Sequence, residues 1–175
     1  MKKTLLTLAA LALPALSQTT IKDAMIKHWK ATGQLTIAVA EAMPAEDYNF
    51  RPNPEEMSFG QLMAHIGGAD RNACANASGM KPPDYPEKIA AYAKDTKLDV
   101  DKDSAITFLK QTFDFCNQAV ASVTLEQLDK VVGPANRNLT GYEWLWSYFT
   151  HTAHHRGQAE VYLRVKNIKP PTYVF

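Results

Sequence analysis

The sequence predicts an all-α protein, a four-helix bundle with a long connection between its second and third helices. Four segments repeat apolar residues three and four positions apart, the period of a helix that buries one face. No segment shows the two-residue alternation by which a β-hairpin is read. Capping residues, glycine and proline punctuate the segments, so each helix can be delimited in turn.

The first seventeen residues stand apart. Lys2 and Lys3 precede an apolar run from Thr4 to Leu13, and Ala15-Leu16-Ser17 offers a small-x-small cleavage site before Gln18, the layout of a secretory signal peptide. The run is too short, and broken by Pro14, to anchor in a bilayer, and no cysteine follows it to carry a lipid. Residues 1–17 are therefore expected to be removed on export to a periplasmic or extracellular compartment. Residues 18–175 then form one domain, long enough to bury its own core. Only Lys2 and Lys3 of the 19 basic residues lie in the leader, so 17 basic side chains face 18 acidic ones in the remainder. That balance argues against nucleic acid or an anionic membrane as partner.

The first helix runs from about Ile21 to Met43 behind a cap at Thr19 or Thr20, with Ile21, Met25, His28, Thr32, Leu35 and Val39 in one stripe, and it stops at Pro44. Arg51-Pro52-Asn53-Pro54 forbids helix and acts as a connector. The second helix begins at Ser58, because Ser58-Phe59-Gly60-Gln61 is a capping box in which the serine and glutamine satisfy each other's free backbone N–H groups. It continues to about Ser78, where Gly79 and Pro82-Pro83 end it. Residues 80–102 are a long connection with one short helix around Glu87 to Lys94. The third helix begins near Asp103 or Ser104 and lines up Ile106, Leu109, Phe113, Cys116, Val120 and Val123 as a bundle seam. The fourth, from about Tyr142 to Lys166, spans roughly 37 Å at about 1.5 Å per residue. Prolines keep the tail from Lys169 to Phe175 out of helix, and its aromatic residues are expected to fold back on the bundle.

In a protein that leaves the cytoplasm, Cys74 and Cys116 can hold a disulfide. Their spacing matches no zinc motif, and neither belongs to a Cys-x-x-Cys pair. Cys116 lies on the inward seam of the third helix, and Cys74, nine residues after His65, lies about 180° from it around the second. A bond between them would tie those helices together. In an antiparallel pair, however, the long connection would have to offset one helix against the other. Two buried free thiols are the alternative.

The fourth helix carries the chemistry. Trp144, Tyr148, His151, His155, Gln158 and Tyr162 follow at spacings of three and four and share a face. A seam built only for stability would use leucine, since each buried polar group needs a partner or costs about 1–3 kcal/mol. A metal ion supplies that partner, and neutral imidazole is its commonest ligand. His151 and His155, at i and i+4, are about 40° apart around the axis and about 6 Å along it, so both rings can meet one ion. His65, two turns into the second helix, is the natural third ligand. Gly67 and Gly68 beside it either leave room next to an ion or let two helices approach closely. His154 is turned about 100° from His155 and is left out, although an i,i+3 pair with His151 is the alternative. His28, beside Trp29, reads as a hydrogen-bonded core or surface histidine.

Two stretches, Ser58-Phe59-Gly60-Gln61-Leu62-Met63-Ala64-His65-Ile66 and His151-Thr152-Ala153-His154-His155-Arg156-Gly157-Gln158, resemble the DinB/YfiT-like family. The likeness extends over nearly the whole chain after the leader, including Arg51-Pro52 and the Pro170-Pro171 tail. It implies a four-helix bundle, often a homodimer, with a divalent metal on one histidine of helix 2 and the His-x-x-x-His pair of the last helix. Zinc is the first expectation, with nickel, iron and manganese also used by family members. Tyr148 then becomes a candidate proton donor, and Arg156 and Gln158 become candidates for supporting the ligands or facing a substrate. Surface ion pairing for Arg156 and core filling for Tyr148 are the plain alternatives.

Family members also use low-molecular-weight cytosolic thiols for transfer or isomerisation. An exported protein lacks that supply. Three nitrogen ligands leave coordination positions open, which suits metal-dependent hydrolysis of an unknown small molecule. The competing class is a non-enzymatic metal-binding or stress-associated bundle, favoured by the lack of Asp or Glu around His151 to His155.

Overall fold

A computed structural model describes residues 20–173; the leader at residues 1–17, its cleavage site and Phe175 lie outside them. The elements are α1 (Ile21–Ala42), a 3-10 turn (Ala45–Asp47), α2 (Phe59–Ser78), α3 (Glu87–Lys94), α4 (Lys102–Ser122), α5 (Leu125–Asp129), β1 (Val131–Val132), β2 (Leu139–Thr140) and α6 (Gly141–Val165). The long helices α1, α2, α4 and α6 are the four expected from the periodicity. Each packs on two of the others. No helix among the described residues is long and apolar enough to cross a membrane.

Local chemistry sets the boundaries. Thr20 caps α1 in a reciprocal box with Asp23, and Ser58 caps α2 with Gln61. Thr124 with Gln127 and Thr140 with Glu143 repeat the device at α5 and α6. Gly79 ends α2 in the left-handed region at φ 71°. Gln61 does more than cap. Its Oε1 accepts from Arg51 Nη1 at 2.7 Å while its Nε2 donates to the carbonyls of Thr96 and Leu98, both at 3.0 Å, pinning both connectors to the start of α2.

Four details differ from the sequence expectation. The third long helix starts at Lys102 because Asp101, not Asp103 or Ser104, accepts from Ser104 N as its cap. Ile21 is 70% exposed, and α1 instead buries Trp29, Gly33 and Thr36 beside the expected Met25, Thr32, Leu35 and Val39, since it faces two helices at once. A small antiparallel pair, β1 with β2, stands where no hairpin was read, because two residues per strand are too few to show alternation. Finally, α2 and α4 run parallel: Gly67 lies against Phe108, Cys74 bonds Cys116, and Met80 meets Ser122. The 79–101 connection is a crossover that returns the chain to the end where α2 began.

The remaining contacts complete an up-down-down-up order. Gly33 packs on Phe113 and Glu41 pairs with Lys110 at 2.8 Å, so α1 opposes α4. Tyr162 donates to the Met57 carbonyl at 2.8 Å and Thr152 to Asp70, so α6 opposes α2. The core is the apolar interior shared by these four helices, from Trp29, Val39 and Met43 through Phe59, Met63 and Ile66 to Phe108, Leu109, Leu145 and Leu163. The tail returns to it, with the Arg156 guanidinium 5.6 Å from the Tyr173 ring centre.

Candidate metal centre

The antiparallel pairing of α2 and α6 brings His65 opposite His151 and His155. The ring centres are 5.0 Å apart for His65 and His151, 4.7 Å for His65 and His155, and 4.3 Å for His151 and His155. One ligand nitrogen from each lies within 4.8 Å of the others, and all three rings are half-buried. Nε2 of His65 and Nε2 of His151 are 3.1 Å apart. Bonds of about 2.0–2.1 Å to a shared ion place two nitrogens about 3.0–3.4 Å apart, so this pair already has the spacing of two ligands.

The electrostatics agree. Burial lowers the pKa of all three imidazoles, with His151 brought down to about 4 by burial first and then by the neighbouring His155, His65 and His154. They are neutral near pH 7, the form that ligates. His155 Nδ1 lies 2.7 Å from Gln158 Oε1; it donates to that oxygen, which leaves the Nε2 lone pair free. Nδ1 of His151 is buried without a hydrogen-bond partner. These residues fit a divalent ion, with His65, His151 and His155 as its holders.

The other expected residues separate. Tyr148 joins the cluster: its ring stacks on Trp144 at 5.6 Å and lies 5.5 Å from the His151 ring. Gln158 faces His155 as its hydrogen-bond partner. Arg156 points away, because one residue beyond His155 is about 100° around the helix. It is buried and donates from Nη1 to Thr32 Oγ1 at 2.6 Å, so it neither faces the cluster nor pairs with an acid at the surface. His154 is exposed. The two glycines divide. A Cβ on Gly67 would come within 2.7 Å of Phe108, so Gly67 serves helix packing, whereas Gly68 faces open space.

That space is a cavity of about 680 Å³ lined by His65, Gly68, Asn72, Ser147, Tyr148 and His151 on the bundle side. Tyr85, Ile89 and Tyr92 from the crossover and Arg137 and Leu139 from the hairpin complete it. None of these five was singled out from the sequence, since their segments read as connection. A buried pair was also missed. Thr152, next to His151 in sequence, has its Oγ1 2.7 and 2.8 Å from the two carboxyl oxygens of Asp70. The signal was present: Asp70 falls on the stripe of Phe59, Met63, Ile66, Ala73 and Ala77 that α2 buries.

Burial pushes the Asp70 carboxyl up to about 8, against the Thr152 hydrogen bond and the positive charge of Arg156. An unfolded chain titrates this carboxyl near 3.8, so between there and about 8 the folded state keeps a proton that the unfolded state releases. Its contribution to stability is therefore full at low pH and declines as pH rises through that window. Asp70→Asn should remove the decline. Relative to the parent protein, its denaturation midpoint is expected to rise between about pH 5 and about pH 8. A constant difference across that range would show that Asp70 is ionised in the fold.

A helical bundle in which three histidines from two antiparallel helices converge beside a cavity defines the class of protein. The chain belongs to the DinB superfamily, whose family model matches residues 28–159. It is similar in structure to a DinB-like protein from Bacillus subtilis, with 22% identity, a TM-score of 0.67, and coverage of 86% of this chain and 96% of that one. A DinB-like protein from Bacillus cereus gives 18%, 0.71, 90% and 99%, and a conserved protein from Enterococcus faecalis gives 17%, 0.63, 85% and 98%. These likenesses carry the fold. No curated protein matches the sequence.

Proposed function

We propose that the protein is exported, holds one divalent ion, zinc first, on His65, His151 and His155, and hydrolyses a small molecule in the adjoining cavity. The observation that carries this reading is the convergence of three neutral imidazoles, two of which, His65 and His151, line a cavity of about 680 Å³. His65, His151 and His155 would hold the ion through three nitrogens, and the chemistry it would supply is water made acidic enough, towards a pKa of about 7, to act as a nucleophile. The chain supplies the rest. Gln158 fixes the tautomer of His155, Tyr148 stands beside His151 with a phenol that can give a proton to a leaving group, and Ile89, Tyr85 and Tyr92 form a largely apolar wall against which a substrate can lie.

Export is supported by the Cys74–Cys116 bond, which persists in an oxidising compartment, and by the layout of residues 1–17. A mature N-terminus at Gln18 would bear it out, and an intact leader would oppose it.

One observation favours a second reading. Among the described residues neither Asp nor Glu lines the cavity to serve as general base, and a bundle that binds metal without turnover fits that lining. Turnover of a panel of ester and amide probes separates the two. Hydrolysis that rises in proportion to bound metal and is lost in His151→Ala supports the hydrolase. Stoichiometric metal with no turnover across the panel supports the binding protein.

A further inference from the structure

The side chains along α6 beside the cavity have an order. Arg137 lies over the Trp144 ring at 5.8 Å, Trp144 stacks on Tyr148 at 5.6 Å, and Tyr148 borders His151 at 5.5 Å. Trp144 and His151 are seven residues apart, about 10 Å along the helix axis. A guanidinium therefore stands at one end of this row and the histidine cluster at the other, with Tyr148 on the cavity wall between them and Trp144 buried beneath.

Arg137 is held there by the hairpin. Its N–H donates to the Pro134 carbonyl at 3.0 Å, and Asn138 turns the chain with φ 47° into β2. Trp144 Nε1 donates to the Val132 carbonyl at 3.0 Å and Gly141 N to the Lys130 carbonyl at 3.0 Å, fastening the strand pair to the start of α6. The other arginines of the described residues each have a side-chain hydrogen bond or ion pair: Arg51 with Asp99, Arg71 with the Pro83 carbonyl, Arg156 with Thr32 and Arg164 with Glu160. Among the described residues, the Arg137 guanidinium has the Trp144 ring beneath it and no carboxylate within 4.0 Å, and no acidic residue lines the cavity.

We propose that Arg137 is the anion-binding end of the cavity, selecting an elongated small molecule with a terminal carboxylate or phosphate, an apolar middle and its reacting group at the histidines. This deepens the reading of the cavity as a substrate site and rests on it. The guanidinium presents a planar pair of N–H donors to the anion. Tyr148 and Leu139 on one side and Tyr85, Ile89 and Tyr92 on the other cover the apolar middle.

The test measures binding without metal, so that it is independent of the metal assignment. The full chain in excess chelator is titrated with 4-phenylbutyrate and with its uncharged counterpart 4-phenylbutanamide, followed by ligand-observed NMR. The carboxylate should bind about tenfold or more tightly than the amide, the size of effect expected for a hydrogen bond to a charged group. Arg137→Gln should abolish that preference while leaving amide affinity and the thermal midpoint unchanged, and Arg137→Lys should retain part of it. Equal binding of the two probes, binding of neither, or a preference that survives Arg137→Gln would overturn the proposal. A charge preference in a protein that takes up no metal would uphold Arg137 and remove the metal reading alone.

Discussion

Replacing Cys74 and Cys116 together by alanine is expected to lower stability by about 4 kcal/mol, the chain-entropy value for closing a loop of this size. The bond joins residues separated by 42 positions, and both cysteines are fully buried. The closed loop contains the whole crossover, residues 79–101, including α3 and Tyr85, which form the far wall of the cavity. Without the bond, the unfolded chain regains freedom over that entire stretch, while the folded chain loses only two small side chains. Urea denaturation of the oxidised parent and of the double variant measures the difference. A loss below about 1 kcal/mol would mean that the unfolded state is already constrained there.

The second large effect lies at the histidines. Alanine at His65, His151 or His155 should abolish stoichiometric binding of a divalent ion, because two remaining imidazoles cannot enclose it. Gln158→Leu should weaken affinity by roughly 10–100-fold without abolishing it, as expected of a residue that orients a ligand by accepting from its second nitrogen. His154→Ala should bind as the parent does, since that ring is exposed although its centre is 4.9 Å from His155. Competition against a chromogenic chelator gives all five affinities on one scale. If His154→Ala lost the ion while His155→Ala kept it, the ligating pair would be His151 with His154.

Much of this was legible in the residues because it is local. Ser58 and Gln61 mark the start of α2 through hydrogen bonds between neighbours in sequence, and the i,i+4 pair on α6 follows from helix geometry alone. What escaped depends on partners distant in sequence. The parallel course of α2 and α4 is decided by a crossover whose apolar residues are too few and irregular to show a period, and with it went the reason Cys74 and Cys116 meet. Arg156 reads as a surface or substrate-facing cation in any local account, but the fold turns it inward to Thr32. Arg137 sits in a turn whose two-residue strands carry no pattern, so its place at the cavity mouth appears only once the hairpin is docked on Trp144.

The central claim is that His65, His151 and His155 form one metal site per chain. Metal analysis of protein purified without a histidine tag, before and after incubation with zinc, nickel, iron(II) and manganese in turn followed by desalting, tests it most directly. One equivalent of divalent ion per chain, reduced to background in a folded His151→Ala variant, is the predicted result. Background metal in the parent after all four incubations, or equal metal in parent and variant, would contradict it.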